Sequence, residues 1–205
     1  MDIENFIKKN KCKEILRFKY SDSKRILKEQ LNIKTPLSSL YRVAVLGVTL
    51  FGGAFLGFYI AGGFIEKALL SILFTIIGII IMMFLHEGIH WLAYKIVGAK
   101  EINIHIDFKN RNLYTTADKF IMDKKSFYFV ELSPLIIIFS IIYLGIKLFP
   151  DYSVTFSLLM IWHFFSCNKD IKIVNYFYSY KGQKIFKYDD LSNKEFVILK
   201  GKASK

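Results

Sequence analysis

His86, Glu87 and His90 stand in the order H-E-x-x-H, within the run His86-Glu87-Gly88-Ile89-His90. On a helix, residues four apart lie one turn from each other on a single face, so the two imidazoles can converge on one metal ion. The glutamate after the first histidine projects beside that face, where a water activated by the ion would sit. Imidazole nitrogens are good ligands for Zn²⁺, and a carboxylate in that place can serve as general base. Catalytic zinc takes three protein ligands and leaves the fourth position to water. Two ligands are in hand, and the third must come from another part of the chain.

The motif closes a long apolar run, so the elements that position it are membrane helices. Residues 43–64 form 22 positions without a charge, enough to cross a bilayer. Gly53 and Gly57 lie there at G-x-x-x-G spacing, which lets another helix approach closely. Residues 68–85 form a second apolar run. Its helix is expected to continue through the motif to Val97, with Lys95 in the last turn and Gly98 as cap. A third span is expected at 132–149, opened by Glu131-Leu132-Ser133-Pro134 with the proline in its first turn. Residues 152–167 make a fourth, short at 16 residues. Polar His and Glu side chains at such a boundary are costly unless they act.

Apolar residues make up 53% of the 205, yet 22% are charged, and the two classes are segregated along the chain. The net charge of +12 is better explained by anionic head groups and topology than by nucleic acid, because the lysines flank apolar runs. Of the 29 Lys and Arg residues, 11 lie in 1–42, 7 in 95–125 and 9 from 169 onward; Lys67 and Lys147 alone fall in the other turns. With four spans, 27 of the 29 share one side, which the positive-inside rule makes cytoplasmic. Both termini are then expected in the cytosol. The start carries charges throughout and no apolar core, so no cleavable signal is expected. Cys12 and Cys167 form no disulfide framework.

Between the second and third spans, residues 101–108 alternate strictly, with Ile102, Ile104, Ile106 and Phe108 on one face and Asn103, His105 and Asp107 on the other. Period two means a half-buried strand. Lys109-Asn110-Arg111-Asn112 is the turn and 113–117 the return strand of a cytoplasmic β-hairpin. Residues 118–125 read as polar linker. The whole is a mainly α integral membrane protein: a basic N-terminal arm at 1–40, a membrane-embedded core at 41–170 and a basic tail at 171–205. Apolar residues at helical spacing in the arm (Ile7, Ile15, Leu16, Phe18, Ile26, Leu27, Leu31) fit one or two amphipathic helices on the membrane face.

That topology brings the ends of the second and fourth spans to similar depth. Asp170 is therefore the expected third ligand, with His163, His105 and Glu131 as alternatives; Asn168 is the nearest candidate to stabilise an oxyanion. At this point the chain resembles the small bacterial membrane-embedded zincin peptidases, akin to the site-2 protease clan. The resemblance covers roughly 41–170. It rests on the H-E-x-x-H motif, and more weakly on Glu131-Leu132-Ser133-Pro134 and Ser166-Cys167-Asn168-Lys169-Asp170. In site-2 proteases the third ligand is an aspartate followed by glycine on a later membrane helix; here Asp170 is followed by Ile171.

The resemblance implies zinc and peptide hydrolysis. The expectation is a zinc-dependent membrane endopeptidase acting on a peptide or transmembrane protein near the cytoplasmic interface, with Glu87 as base and the hairpin edge holding an extended substrate. The alternative is a catalytically inactive zinc-binding membrane protein acting as a regulatory or immunity factor. The two separate on whether Glu87 is needed.

Overall fold

The computed structural model describes residues 3–29, 32–107 and 112–202. Leu31, Phe108 and the turn residues 109–111 lie outside them. Three helices are long and apolar enough to cross a membrane: α3 (Pro36–Ala61), α4 (Ile65–Ile96) and α5 (Lys124–Leu148). Helix α1 (Ile3–Lys9) and helix α2 (Ser23–Glu29) precede them, and α6 (Ser153–Ser166) and α7 (Asn168–Ser179) follow. Large apolar side chains such as Leu50, Phe58, Ile76, Ile80, Ile141 and Leu144 are exposed along the three long helices, as lipid-facing surface requires.

The helices begin and end where local chemistry dictates. Helix α3 starts seven residues before the charge-free run because Thr35 and Ser38 form a capping box and Pro36 takes the first turn. Helix α4 ends at Ile96, and Gly98 follows with φ +97°, the left-handed geometry a glycine accepts without strain. Helix α5 starts at Lys124, capped by the Asp123 side chain on Ser126 N. Pro134 is therefore inside the helix rather than in its first turn.

Helix α6 has 14 residues, about 21 Å of helix, and is too short to join the three spanning candidates. It packs among all three, and missing side chains make the room. A Cβ added at Gly52 of α3, Gly78 of α4 or Gly145 of α5 would come within 2.6, 2.9 and 2.6 Å of Ile161, Leu159 and Phe156 respectively. Gly53 and Gly57, the pair expected to receive a helix, have nothing within 4 Å. Tyr41 of α3 also donates its hydroxyl to the Phe164 carbonyl.

At the sheet end of the bundle, β1 (Lys13–Lys19), β4 (Met122–Asp123), β5 (Ile185–Asp190) and β6 (Glu195–Lys200) form an antiparallel sheet in the order β1-β6-β5-β4. This corrects the reading of the arm, whose residues 13–19 form a strand, and of the linker before α5, part of which is β4. The tail is likewise folded into α7 and the β5–β6 hairpin. Leu16 and Phe18 alternate inward along β1 and stack on β6, Phe18 on Phe196 with ring centroids 5.0 Å apart. A helical reading of 13–19 fails because Leu16 and Phe18 recur at period two on either side of Arg17, not at 3.6. Because β4 precedes α5 and pairs with β5 beyond α7, the chain returns after α5 to the end of the bundle it left.

Strands β2 (Ile102–Asp107) and β3 (Asn112–Ala117) pair antiparallel as a separate two-stranded sheet, Ile102 opposite Ala117 and Asp107 opposite Asn112. Its apolar face is not the buried one. Ile104 and Ile106 are 47% and 55% exposed, while His105 packs on Tyr114 and bonds Thr116 Oγ1 at 3.0 Å.

Candidate metal centre

His86 and His90 lie on the buried face of α4, one turn apart, with their Nε2 atoms 3.2 Å from each other. Asp170, in the first turn of α7, places Oδ2 3.2 Å from His86 Nε2 and 3.8 Å from His90 Nε2. The bend at Cys167 between α6 and α7 turns this carboxylate onto α4. One donor atom from each of the three residues lies within 4.8 Å of the others, and all three side chains are buried.

The surroundings point the donors inward. His90 Nδ1–H donates to the Val130 carbonyl at 3.1 Å, which leaves the Nε2 lone pair facing Asp170. That carbonyl is available because residue 134, whose N–H would normally take it, is proline. Asp170 Oδ2 is buried and has no hydrogen-bond partner. A buried carboxylate oxygen with no such partner, facing two imidazole nitrogens at 3.2 and 3.8 Å, makes a donor set converging on one point, as a cation requires. Two imidazoles and one carboxylate are a donor set zinc accepts, with a fourth position left open.

Glu87 stands beside the trio and lines two cavities. One, towards the sheet, is also bounded by Tyr20, Tyr94, Glu131, Lys187 and Asp189; the other by Met83, Leu113, Trp162 and Ser166. Glu87, Lys169 and Asp170 line both. The Thr115 hydroxyl of β3 lies 2.8 Å from Glu87 Oε2 and 3.1 Å from its carbonyl oxygen, as a donor shared by the two.

A family profile described as "putative zincin peptidase" matches residues 79–185, just over half of the chain. The chain belongs to this family. No curated protein and no solved structure matches it. Membership implies zinc, and the match begins seven residues before the first histidine and ends at the first residue of β5. It thus takes in the H-E-x-x-H helix, the β2–β3 hairpin, α5 and the α6–α7 bend, and leaves out α3, β1 and β6.

Of the residues singled out in the sequence of this family member, the structure brings His86, His90, Glu87 and Asp170 together. Glu131 is buried in the sheet-side cavity, outside the trio. His105 is held on the hairpin by Thr116, and His163 lies behind His86 on α6, with ring centroids 6.0 Å apart. Asn168 is exposed and lines neither cavity, whereas Lys169 lines both and sets its ammonium 5.6 Å from the Tyr114 ring centroid. Sequence reasoning missed Thr115, Lys169 and the Val130 carbonyl. Only Pro134 carried a signal for the last of these, as a residue that strips a helix carbonyl of its donor.

A buried pair ties the sheet to this centre. Lys187 of β5 donates to Asp189 and to the Tyr94 hydroxyl of α4, at 2.9 Å for the latter. Asp189 also accepts from Tyr20 at 2.8 Å, and the Ala117 amide of β3 lies 3.5 Å from it. Burial first, then the Asp189 charge, push the Tyr20 hydroxyl far up, so it stays a donor.

Proposed function

We propose that this protein is a zinc-dependent, membrane-embedded endopeptidase that hydrolyses a peptide bond near the cytoplasmic membrane interface, with Glu87 as general base. The observation that carries the reading is the buried His86, His90 and Asp170 trio with the Glu87 carboxylate beside it at the junction of two cavities. Zinc bound there would supply Lewis acidity, lowering the pKa of a water and polarising the scissile carbonyl. The protein does the rest. Thr115 holds one oxygen of Glu87, and the carboxylate takes the proton of the attacking water and delivers it to the leaving amine. Lys169 places a positive charge where both cavities meet, which favours a developing oxyanion.

The two cavities give an extended substrate room on either side of the reacting bond. The second one has apolar walls from Met83, Leu113 and Trp162, and the exposed Ile106 and Ile104 pair across the hairpin with Leu113 and Thr115. This suits a segment leaving the lipid phase, and the hairpin offers a strand edge to hold it. Four crossings, with α6 and the α7 bend completing the fourth, agree with the chain's return to the sheet after α5. The cytoplasmic assignment rests on the charge segregation in the sequence, since four crossings would put 27 of the 29 basic residues on one side.

The test is Glu87→Gln in purified protein assayed against membrane-protein substrates. Cleavage is expected to be lost while zinc content stays at the wild-type level, because the base is not a ligand. Full activity in this variant would overturn the mechanism. A biological effect that persists with zinc retained and no cleavage would favour the non-catalytic regulatory reading.

A further inference from the structure

His86 belongs to a second cluster. Together with His163 of α6 and Cys167 at the α6–α7 bend it forms another group in which one donor atom from each residue lies within 4.8 Å of the other two, and all three are buried. His163 is 0% and Cys167 1% exposed. The Cys167 sulfur is 3.7 Å from the His163 ring nitrogens. His86 Nε2 faces His90 and Asp170, but its Nδ1 is buried without a hydrogen-bond partner. A histidine that ligates a metal through one nitrogen almost always gives the other nitrogen a partner. Among the described residues no carboxylate or carbonyl takes that part, and the other two members of the cluster are an imidazole and a thiol.

We infer that His86, His163 and Cys167 form a second metal site for a thiophilic ion such as Zn²⁺, joined to the first through the His86 ring. Nitrogen and sulfur donors in this mixture select borderline-soft ions over Mg²⁺ or Ca²⁺, which want oxygen. Binding sheds the Cys167 thiol proton and the remaining His86 ring proton to solvent, so that Nε2 serves one ion and Nδ1 the other. His163 and Cys167 line neither of the cavities that Glu87 lines, and the cluster offers no carboxylate base of its own. It therefore holds His86 in place and does not perform hydrolysis.

The probe is Co²⁺ added to the metal-free full chain in detergent, followed by absorbance and by metal analysis. The first trio contains only nitrogen and oxygen donors, so a thiolate-to-cobalt charge-transfer band in the near ultraviolet reports the second site alone. Wild-type protein is expected to bind two Co²⁺ per chain and show the band. Cys167→Ser and His163→Gln are each expected to drop to one ion, and the former to lose the band. Asp170→Asn is expected to drop to one ion and keep it, so loss of the first site is read separately from loss of the second. Absence of the band from cobalt-loaded wild type would overturn the inference. So would a band that survives Cys167→Ser but disappears in Cys12→Ser, and so would a single ion per chain carrying the band. Since the wild-type spectrum already decides, failure of a variant to fold leaves the test intact.

Discussion

Pro134 lies four residues after Val130, and the carbonyl it leaves without a helical donor is the one that accepts Nδ1–H of His90, at 3.1 Å. A helix defect on α5 thus orients a histidine on α4. Proline in a helix interior normally costs about 3 kcal/mol, and here the freed acceptor is buried and satisfied by a side chain of the candidate metal centre.

Pro134→Ala restores the N–H and lets it compete for the Val130 carbonyl. Zinc affinity is expected to fall, on the order of tenfold to a hundredfold as for other outer partners of ligating histidines, while thermal stability holds or rises. A chelator-competition titration checks this. Unchanged affinity would mean that packing alone orients His90.

Thr115 is the only residue of the hairpin seen to bond Glu87 among the described residues. Thr115→Val keeps the shape and removes the donor. A hydrogen bond to a charged group is worth about 1.5–3 kcal/mol, so cleavage is expected to slow by about tenfold or more. Zinc content should stay at the wild-type level, because the Thr115 hydroxyl bonds Glu87, which is not one of the three ligands. Equal rates for the two proteins would remove Thr115 from the mechanism.

Lys187 and Asp189 are 2% and 1% exposed, and they join β5 to α4, β3 and Tyr20. Removing one partner strands the other charge, so Lys187→Met is expected to destabilise by about 3–5 kcal/mol. The double change Lys187→Met with Asp189→Asn should recover part of that loss. Denaturant or thermal unfolding in detergent reads both. A near-neutral single variant would show that the pair carries little of the sheet's attachment.

Topology is open to a labelling test with Cys12 and Cys167 first replaced by serine. A cysteine at Ser192, in the turn between β5 and β6, is expected to resist an impermeant thiol reagent in intact cells. One at Asp151, between α5 and α6, is expected to react. Labelling at Ser192 would place the sheet outside and reverse the charge-based orientation.

Some of this protein was decided by sequence alone, because the signals involved are local. The spacing of His86, Glu87 and His90 needs only a helix to become a metal-facing constellation, and apolar runs long enough for a bilayer declare themselves without tertiary contacts. Alternation at 102–107 likewise marked a strand, although it could not say which face packs. Asp170 was reachable as a ligand candidate only by counting crossings, an argument about depth rather than contact.

What tertiary structure decided are relationships between distant segments, which no periodicity encodes. The fit of α6 depends on Gly52, Gly78 and Gly145 of three different helices, whereas the conspicuous Gly53 and Gly57 face open space. Strand β1 exists because β6 gives it an edge to pair with, more than 170 residues later. The donor for Glu87, the acceptor for His90 and the His163–Cys167 pair behind His86 come from β3, α5 and α6. Hydrogen-bond partners and donor clusters are set by distances of about 3–5 Å between side chains, and only the folded chain brings those atoms together.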